Sequence, residues 1–139
     1  DRDQVIEGWN QKFTTPEVSS LIREIDEYFR EVEFTETKFA TCIGRIRVLL
    51  VEVAKKIALD LAKEDSKTSL SGSSEEAAFA QHLHNRKFIS VDEWQIFKSL
   101  YNLSSQEGAH AHASKREYAR LLKNMAYELI LLFLNRHQS

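Results

Sequence analysis

Two histidines and a glutamate are the side chains of this sequence best suited to acid–base or metal chemistry. Glu107, His110 and His112 lie together in SSQEGAHAHAS, residues 104–114. An imidazole can ligate a metal or transfer a proton near neutral pH. In an extended segment both histidines could point at one metal, whereas on a helix they would diverge by about 200°. A metal needs a third or fourth ligand, which Glu107, His82 or His84 could supply, but nothing in the sequence places them there, so we predict no metal site. His110 with Glu107 stays the candidate catalytic pair.

Four basic residues form a second candidate site, for phosphate or RNA. Arg116, Arg120 and Lys123 repeat at i, i+4 and i+7, which places them on one face of a helix. Arg45 interrupts an otherwise apolar helical stripe. A basic face could bind the phosphates of RNA or of a nucleotide. The alternative interpretation is a solvated helix face, with Arg45 paired to an acid or a carbonyl at the edge of the core.

Length and composition limit the other functions. With 139 residues, 42% of them apolar, the chain suits one domain with one core. A formal net charge of -2 provides no global field for nucleic acid or an anionic membrane. The sequence contains neither a glycine-rich phosphate loop nor a serine nucleophile elbow. We therefore expect no cofactor.

The same composition indicates the compartment. The single cysteine, Cys42, excludes an internal disulfide framework and fits a reducing cytosol. No run of about 18 apolar residues and no secretory signal is visible, so we expect a cytoplasmic protein that does not bind membranes. The chain begins with Asp1 rather than methionine, so we expect a fragment of a longer protein.

Helix start signals divide the chain into five main helices. Thr15-Pro16-Glu17 combines a capping threonine, a proline at the first helical position and an acid, and it predicts a helix over 16–32. A continuous apolar stripe predicts a long helix over 35–64. Three capping boxes, each a serine three residues before an acid, predict the other helices: 75–84, 91–103 and 115–136.

These helices define the expected architecture. No strand-like alternation occurs, so the fold class is all-α: a bundle of about five helices with two long central helices, 35–64 and 115–136. The N-terminal helical segment, 1–33, would pack on the bundle formed by 34–139. From Met125 onward the last helix is apolar nearly all round. We expect that part to be central or to lie at a subunit interface.

Four segments within residues 35–137 carry a family resemblance. They are the helix GRIRVLLVEVAKKIALDLA with arginines in its apolar stripe, the helix EWQIFKSLYNLSS, the turn EGAHA, and the closing helix SKREYARLLKNMAYELILLFL. In this order, with a variable polar loop after the first segment, the chain resembles the HEPN-like helical domains of bacteria. Such domains often occur as C-terminal modules in proteins of unknown function and of phage defence.

The resemblance implies two activities. Active members of the family are metal-independent ribonucleases that pair subunits and use an arginine followed, after four to six residues, by a histidine. The arginine would hold phosphate and the histidine would assist proton transfer. No histidine here has an arginine at that distance; for His110 it would fall at Leu103, Ser104 or Ser105. Relatives without the motif resemble non-catalytic dimerisation modules or nucleotide- and RNA-sensing modules.

We therefore expect a non-catalytic helical interaction, dimerisation or sensor module of a bacterial, phage-defence type of protein. Its partner would be a second copy or another protein domain, bound through the apolar closing helix. The alternative is a ribonuclease that uses His110 with a distant arginine, Arg45 or Arg116. A further alternative is a nucleotide- or RNA-binding module that uses Arg116, Arg120 and Lys123.

Overall fold

The described residues form five helices and no strand. The computed structural model describes residues 2–12, 17–31, 35–64, 83, 85, 87–104 and 115–137. The helices are α1 (Arg2–Lys12), α2 (Glu17–Arg30), α3 (Glu36–Glu64), α4 (Val91–Leu103) and α5 (Lys115–His137). The all-α class is confirmed, and so are the two long helices, α3 and α5. The helix predicted over 75–84 and the polar loop before it lie outside these ranges, apart from buried Leu83.

Local capping chemistry sets the best-defined helix start. Ser90 accepts a hydrogen bond from the backbone N–H of Glu93 at 3.1 Å, and the Glu93 carboxylate accepts one from the backbone N–H of Ser90 at 2.7 Å. Both bonds of the predicted capping box are therefore present, and α4 occupies the predicted 91–103. Thr35 caps α3 in a similar way, because its hydroxyl accepts from the backbone N–H of Lys38 at 3.2 Å.

Contacts between helices fix their relative directions. At one end of the bundle Phe39 of α3 contacts Tyr118 of α5, with ring centroids 6.3 Å apart. At the other end Asp60 of α3 contacts His137 of α5, at 2.8 Å between Oδ2 and Nε2. These two contacts show that α3 and α5 run parallel. Helix α2 runs antiparallel to both, because its N-terminal half lies beside the C-terminal half of α5 and its C-terminal end lies beside the start of α5.

One hydrophobic core joins all five helices. Helix α5 packs against α1, α3 and α4, and α2 packs against α1 and α3. The largest fully buried side chains include Trp9 of α1, Ile22 of α2, Leu49 of α3, Phe97 of α4 and Phe133 of α5. No helix within the described ranges combines the length and hydropathy needed to cross a lipid bilayer.

Candidate functional site

Five exposed apolar side chains lie on neighbouring edges of α4 and α5. They are between 39% and 54% exposed, and we call them the α4–α5 face: Ile96, Leu103, Leu121, Met125 and Leu132. At about 100° per residue, the three α5 members point within about 40° of one another, and the two α4 members within about 20°. Exposed apolar side chains that cluster in this way are typical of docking surfaces.

The helix directions place the two rows of this face side by side. Glu93, near the start of α4, binds Arg136 at the end of α5. Tyr101, near the end of α4, contacts Arg47 in the first half of α3, with the guanidinium carbon 4.1 Å from the ring centroid. Helix α4 therefore runs antiparallel to α5. At equal rise per residue, Ile96 lies level with Leu132 and Leu103 lies level with Met125.

The flanks of α4 show which side the face occupies. Tyr101 turns one flank of α4 toward α3. The buried residues of α4, Phe97 and Leu100, form a strip along that helix. Ile96 and Leu103 lie on the other side of this strip from Tyr101, and this side of α4 adjoins the side of α5 that is away from α3. Two more exposed apolar residues, Val48 and Val91, lie on the outer sides of α3 and α4. They stand singly, as apolar surface residues normally do.

Polar residues border the face on α5. Glu117, Asn124, Glu128 and Asn135 are exposed and point within about 40° of one another, next to the apolar row. The opposite border of the apolar row is closed by α4. The face is therefore an apolar strip that is bordered on α5 by side-chain carboxylates and amides.

Two of the predicted phosphate-binding arginines contact α2. The Arg45 Nε lies 3.0 Å from the Glu24 carboxylate. Arg116 donates a hydrogen bond to the backbone carbonyl of Glu31, which is at the C-terminal end of α2. An arginine at a helix C-terminus complements the negative end of the helix dipole. Both arginines therefore tie α3 and α5 to the same helix, α2.

Lys123 belongs to a largely buried polar cluster between α2 and α5. Its side chain is 18% exposed, and its Nζ lies 3.6 Å from the carboxylate of Asp26, which is 13% exposed. The ammonium group lies 4.7 Å from the centroid of the Phe29 ring. Tyr127 donates a hydrogen bond to Asp26 at 3.1 Å. Arg120, by contrast, is exposed on the outer surface of α5. The four predicted basic residues therefore do not form one exposed patch.

The lone cysteine faces the same cluster. Cys42 of α3 is fully buried. Burial is the main cause that raises the pKa of its thiol to about 12; the Lys123 ammonium acts to lower this pKa and the Asp26 carboxylate acts to raise it. A thiol in such surroundings is not a nucleophile at neutral pH.

A clamp at the far end of the bundle joins α4 to α5. Arg136 donates two hydrogen bonds of 2.5 Å to the carboxylate of Glu93, and a third, of 2.9 Å, to the backbone carbonyl of Phe88. The pKa of Glu93 falls to about 2, mainly because of the hydrogen bonds from Arg136; burial acts in the opposite direction, and the hydrogen bonds with Ser90 also contribute to the lowering. The Glu93 carboxylate in turn raises the pKa of Arg136. The clamp fills the position where a ligand anion could otherwise meet Arg136.

A groove between α1 and α2 has a volume of about 580 Å³. It is lined mainly by charged residues of both signs: Asp3, Ile6, Glu7, Asn10, Arg23, Glu27 and Arg30. Arg30 donates to Glu27 at 2.9 Å. Because both acids and arginines line it, the groove selects no single charge of ligand.

The candidate catalytic residues lie elsewhere. Glu107, His110 and His112 are outside the described residues, so their roles stay predictions. Within the part of the chain that the structure describes, no group of three or more histidine, cysteine or acidic side chains could hold a metal ion.

Sequence reasoning missed the interhelical pairs and the exposed row. The pairs Glu93–Arg136 and Asp60–His137 join residues 43 and 77 positions apart. The only local signal was two basic residues, Arg136 and His137, in the last helical turn, which is also explained by the helix dipole. The exposed row on α5 is Leu121, Met125 and Leu132. The sequence indicates that the last helix carries more apolar residues than one buried face needs, but it does not show which of them stay exposed.

Comparison with protein-family models, with characterised proteins and with solved structures finds no match to this chain. The chain is an all-helical, five-helix domain over its described residues.

Proposed function

We propose that this chain is a non-catalytic helical interaction module, of the HEPN-like type, that docks a protein partner through the α4–α5 face. The module would be an accessory or sensor part of a bacterial protein. The observation that carries the proposal is the row of exposed Leu121, Met125 and Leu132 on α5, beside Ile96 and Leu103 of α4. A helix face of this kind gains stability when another apolar surface covers it.

The contacts of the basic residues support a non-catalytic role. Arg45 is paired with Glu24, Arg116 with a backbone carbonyl, and Lys123 with Asp26. Each of these groups would therefore meet an RNA phosphate in competition with a partner within the domain. Their positions are explained by the packing of α2 against α3 and α5.

Site-specific photo-cross-linking tests this function. A photoreactive amino acid is placed at Met125, inside the face, and separately at Gln95, which is exposed on α4 but points about 100° away from Ile96. We expect covalent protein adducts from Met125 in bacterial cells that express the chain, and few from Gln95. The partner identified in the adduct is then purified, and it should bind the wild type and not Leu121→Glu.

Two outcomes would overturn the proposal. The first is an adduct yield at Met125 no higher than at Gln95. The second is cleavage of RNA by the purified wild type that is lost in His110→Ala, because this result would identify a ribonuclease instead.

A further inference from the structure

We infer that the α4–α5 face binds an amphipathic helix of a different protein, whose apolar stripe is flanked by lysine and arginine. This inference rests on the proposed function and names the chemistry of the partner. Three properties of the face support it: the backbone of its two helices, the spacing of its apolar side chains and the charges on its borders.

The backbone of the face determines which kind of segment can dock. Both walls are helices, whose N–H and C=O groups pair within each helix except at the ends. The described residues offer no sheet edge to which an extended segment could add. On this face an extended segment would turn part of its own backbone N–H and C=O groups toward apolar side chains, which is costly. A helix pairs its backbone internally, so a helix is the segment that fits.

The apolar rows flank the line along which α4 and α5 meet. Leu121 and Leu132 span about three turns of α5, or roughly 16 Å. On the other wall, Ile96 lies level with Leu132 and Leu103 with Met125. A partner helix of three to four turns would cover both rows with apolar side chains on one of its faces. The unbranched side chain of Met125 adapts to the shape of the side chains that pack on it.

Acidic residues border the face on both helices. On α5, Glu117 and Glu128 are exposed beside the apolar row. On α4, Asp92 is exposed and points about 40° from Ile96, on the side away from the buried strip. A helix that lies between the rows would therefore have carboxylates along both of its flanks.

Among the described side chains of α4 and α5, basic residues do not offset these acids. Lys98 and Arg120 are exposed, but they point about 100° or more away from the apolar rows. Lys123 lies on the α2 side of α5, and the charge of Arg136 is paired with Glu93. The borders therefore favour a partner with cations on its flanks and disfavour one with acidic flanks.

A second copy of this chain fits the face less well. In the antiparallel register that pairs Leu121 with Leu132 of the other copy, the apolar Met125 faces Glu128. In a parallel pair, Glu117 and Glu128 each face the same residue of the other copy, and like charges repel. A helix with an apolar stripe and basic flanks has neither conflict.

Selection from a displayed peptide library tests the inference. Each peptide is a helix of about four turns with a fixed leucine stripe, and the positions that flank the stripe are randomised among lysine, glutamate and glutamine. Peptides that bind the purified wild type are kept, and those that also bind Met125→Glu, which puts a charge in the middle of the face, are discarded. We expect lysine to exceed glutamate at the flanks about 10-fold or more after selection, because charges at the rim of an interface set the choice of partner.

Charge reversal provides a matched control. The double variant Glu117→Lys, Glu128→Lys should weaken binding of a selected peptide about 10-fold or more at low salt, and by less at high salt, where ions screen exposed charges. Fluorescence anisotropy measures the affinity. The double variant Glu7→Lys, Glu17→Lys makes the same change of net charge on α1 and α2, also with one first-turn acid, and should leave the affinity within about 2-fold. Both double variants should melt alike, since all four positions are exposed.

The outcomes separate this inference from the proposed function. The basic helix is the wrong partner if lysine and glutamate are enriched equally, if both double variants lose the same affinity, or if no peptide is selected. An adduct at Met125 that joins two copies of this chain also overturns it. If Met125 photo-adducts to another protein persist without selected peptides, the docking function stands and only the chemistry of its partner is wrong. Absence of both peptides and adducts overturns the inference and the function together.

Discussion

The Glu93–Arg136 clamp makes a quantitative prediction about the stability of the fold. Glu93→Gln keeps the size of the side chain and an oxygen that can accept from the Ser90 N–H, so the substitution removes mainly the charge. Arg136→Met removes the guanidinium. If the clamp stabilises the packing of α4 on α5, each variant should lower the free energy of unfolding, and the two effects should not add.

The magnitude follows from the pKa of Glu93. A fall from 4.5 to about 2 corresponds to an upper limit of about 3 kcal/mol at pH 7. Glu93 is 13% exposed but Arg136 is 36% exposed, so solvent screens part of the attraction. We expect a coupling energy of about 1–2 kcal/mol in the double-mutant cycle. The exposed pair Glu27–Arg30, at 64% and 61% exposure, is the matched control and should couple by less than about 0.5 kcal/mol.

The pH dependence has a definite sign. The pKa of Glu93 is lower in the folded state, so its contribution is fully present above about pH 4.5. It is lost as the pH falls from about 4.5 toward 2. The stability difference between the wild type and Glu93→Gln should therefore shrink over this window.

Urea unfolding followed by far-ultraviolet circular dichroism, from pH 7 down to the lowest pH at which both proteins fold, measures these differences. A difference that stayed constant with pH would show that Gln disturbs packing rather than charge. A coupling no larger than that of Glu27–Arg30 would show that the clamp does not stabilise the packing of α4 on α5.

Three other substitutions or reactions test the interior contacts. Asp26→Ala should lower the free energy of unfolding by about 2 kcal/mol, because it removes the carboxylate that pairs with Lys123. The control Arg120→Ala, at an exposed site, should change the free energy of unfolding by less than about 0.5 kcal/mol. Urea titration measures both. The rise of the Cys42 thiol pKa from 9.0 to about 12 lowers its thiolate fraction about 1,000-fold. A thiol reagent at pH 8 should therefore label the native protein at least that much more slowly than the unfolded chain. Fast labelling of the native protein would contradict the burial of Cys42. Ser90→Ala should cost about 1 kcal/mol through loss of the cap, and recovery of most of that loss in Ser90→Gly would support the capping explanation, whereas unchanged stability in Ser90→Ala would not.

The boundaries of the helices could be predicted because they depend on neighbouring residues. The Ser90–Glu93 box requires only residues three apart, and α4 begins where that box predicts. The last helix was predicted over 115–136 and extends to His137. The second was predicted over 16–32, and in the described residues it ends earlier, at Arg30. Ends of this kind vary by one or two residues because terminal turns are held by fewer hydrogen bonds.

The partners of the charged residues could not be predicted in the same way. The sequence allowed Arg45 to face either solvent or the edge of the core, and the packing of α2 on α3 puts Glu24 beside it. Arg116 and Lys123 shared one helix face with Arg120, which was consistent with a phosphate-binding strip. Helix α2 covers the side of that face where Arg116 and Lys123 lie and leaves Arg120 exposed.

The all-α class, the positions of the long helices and the apolar stripe of each one follow from the sequence alone, because helix period and capping are local properties. Which apolar residues are covered depends instead on how the helices pack. Leu121 and Leu122 are adjacent and chemically identical, yet Leu122 is buried and Leu121 is exposed. The difference arises because α5 is apolar over a wider arc than its neighbouring helices cover. That uncovered part of the arc is the α4–α5 face.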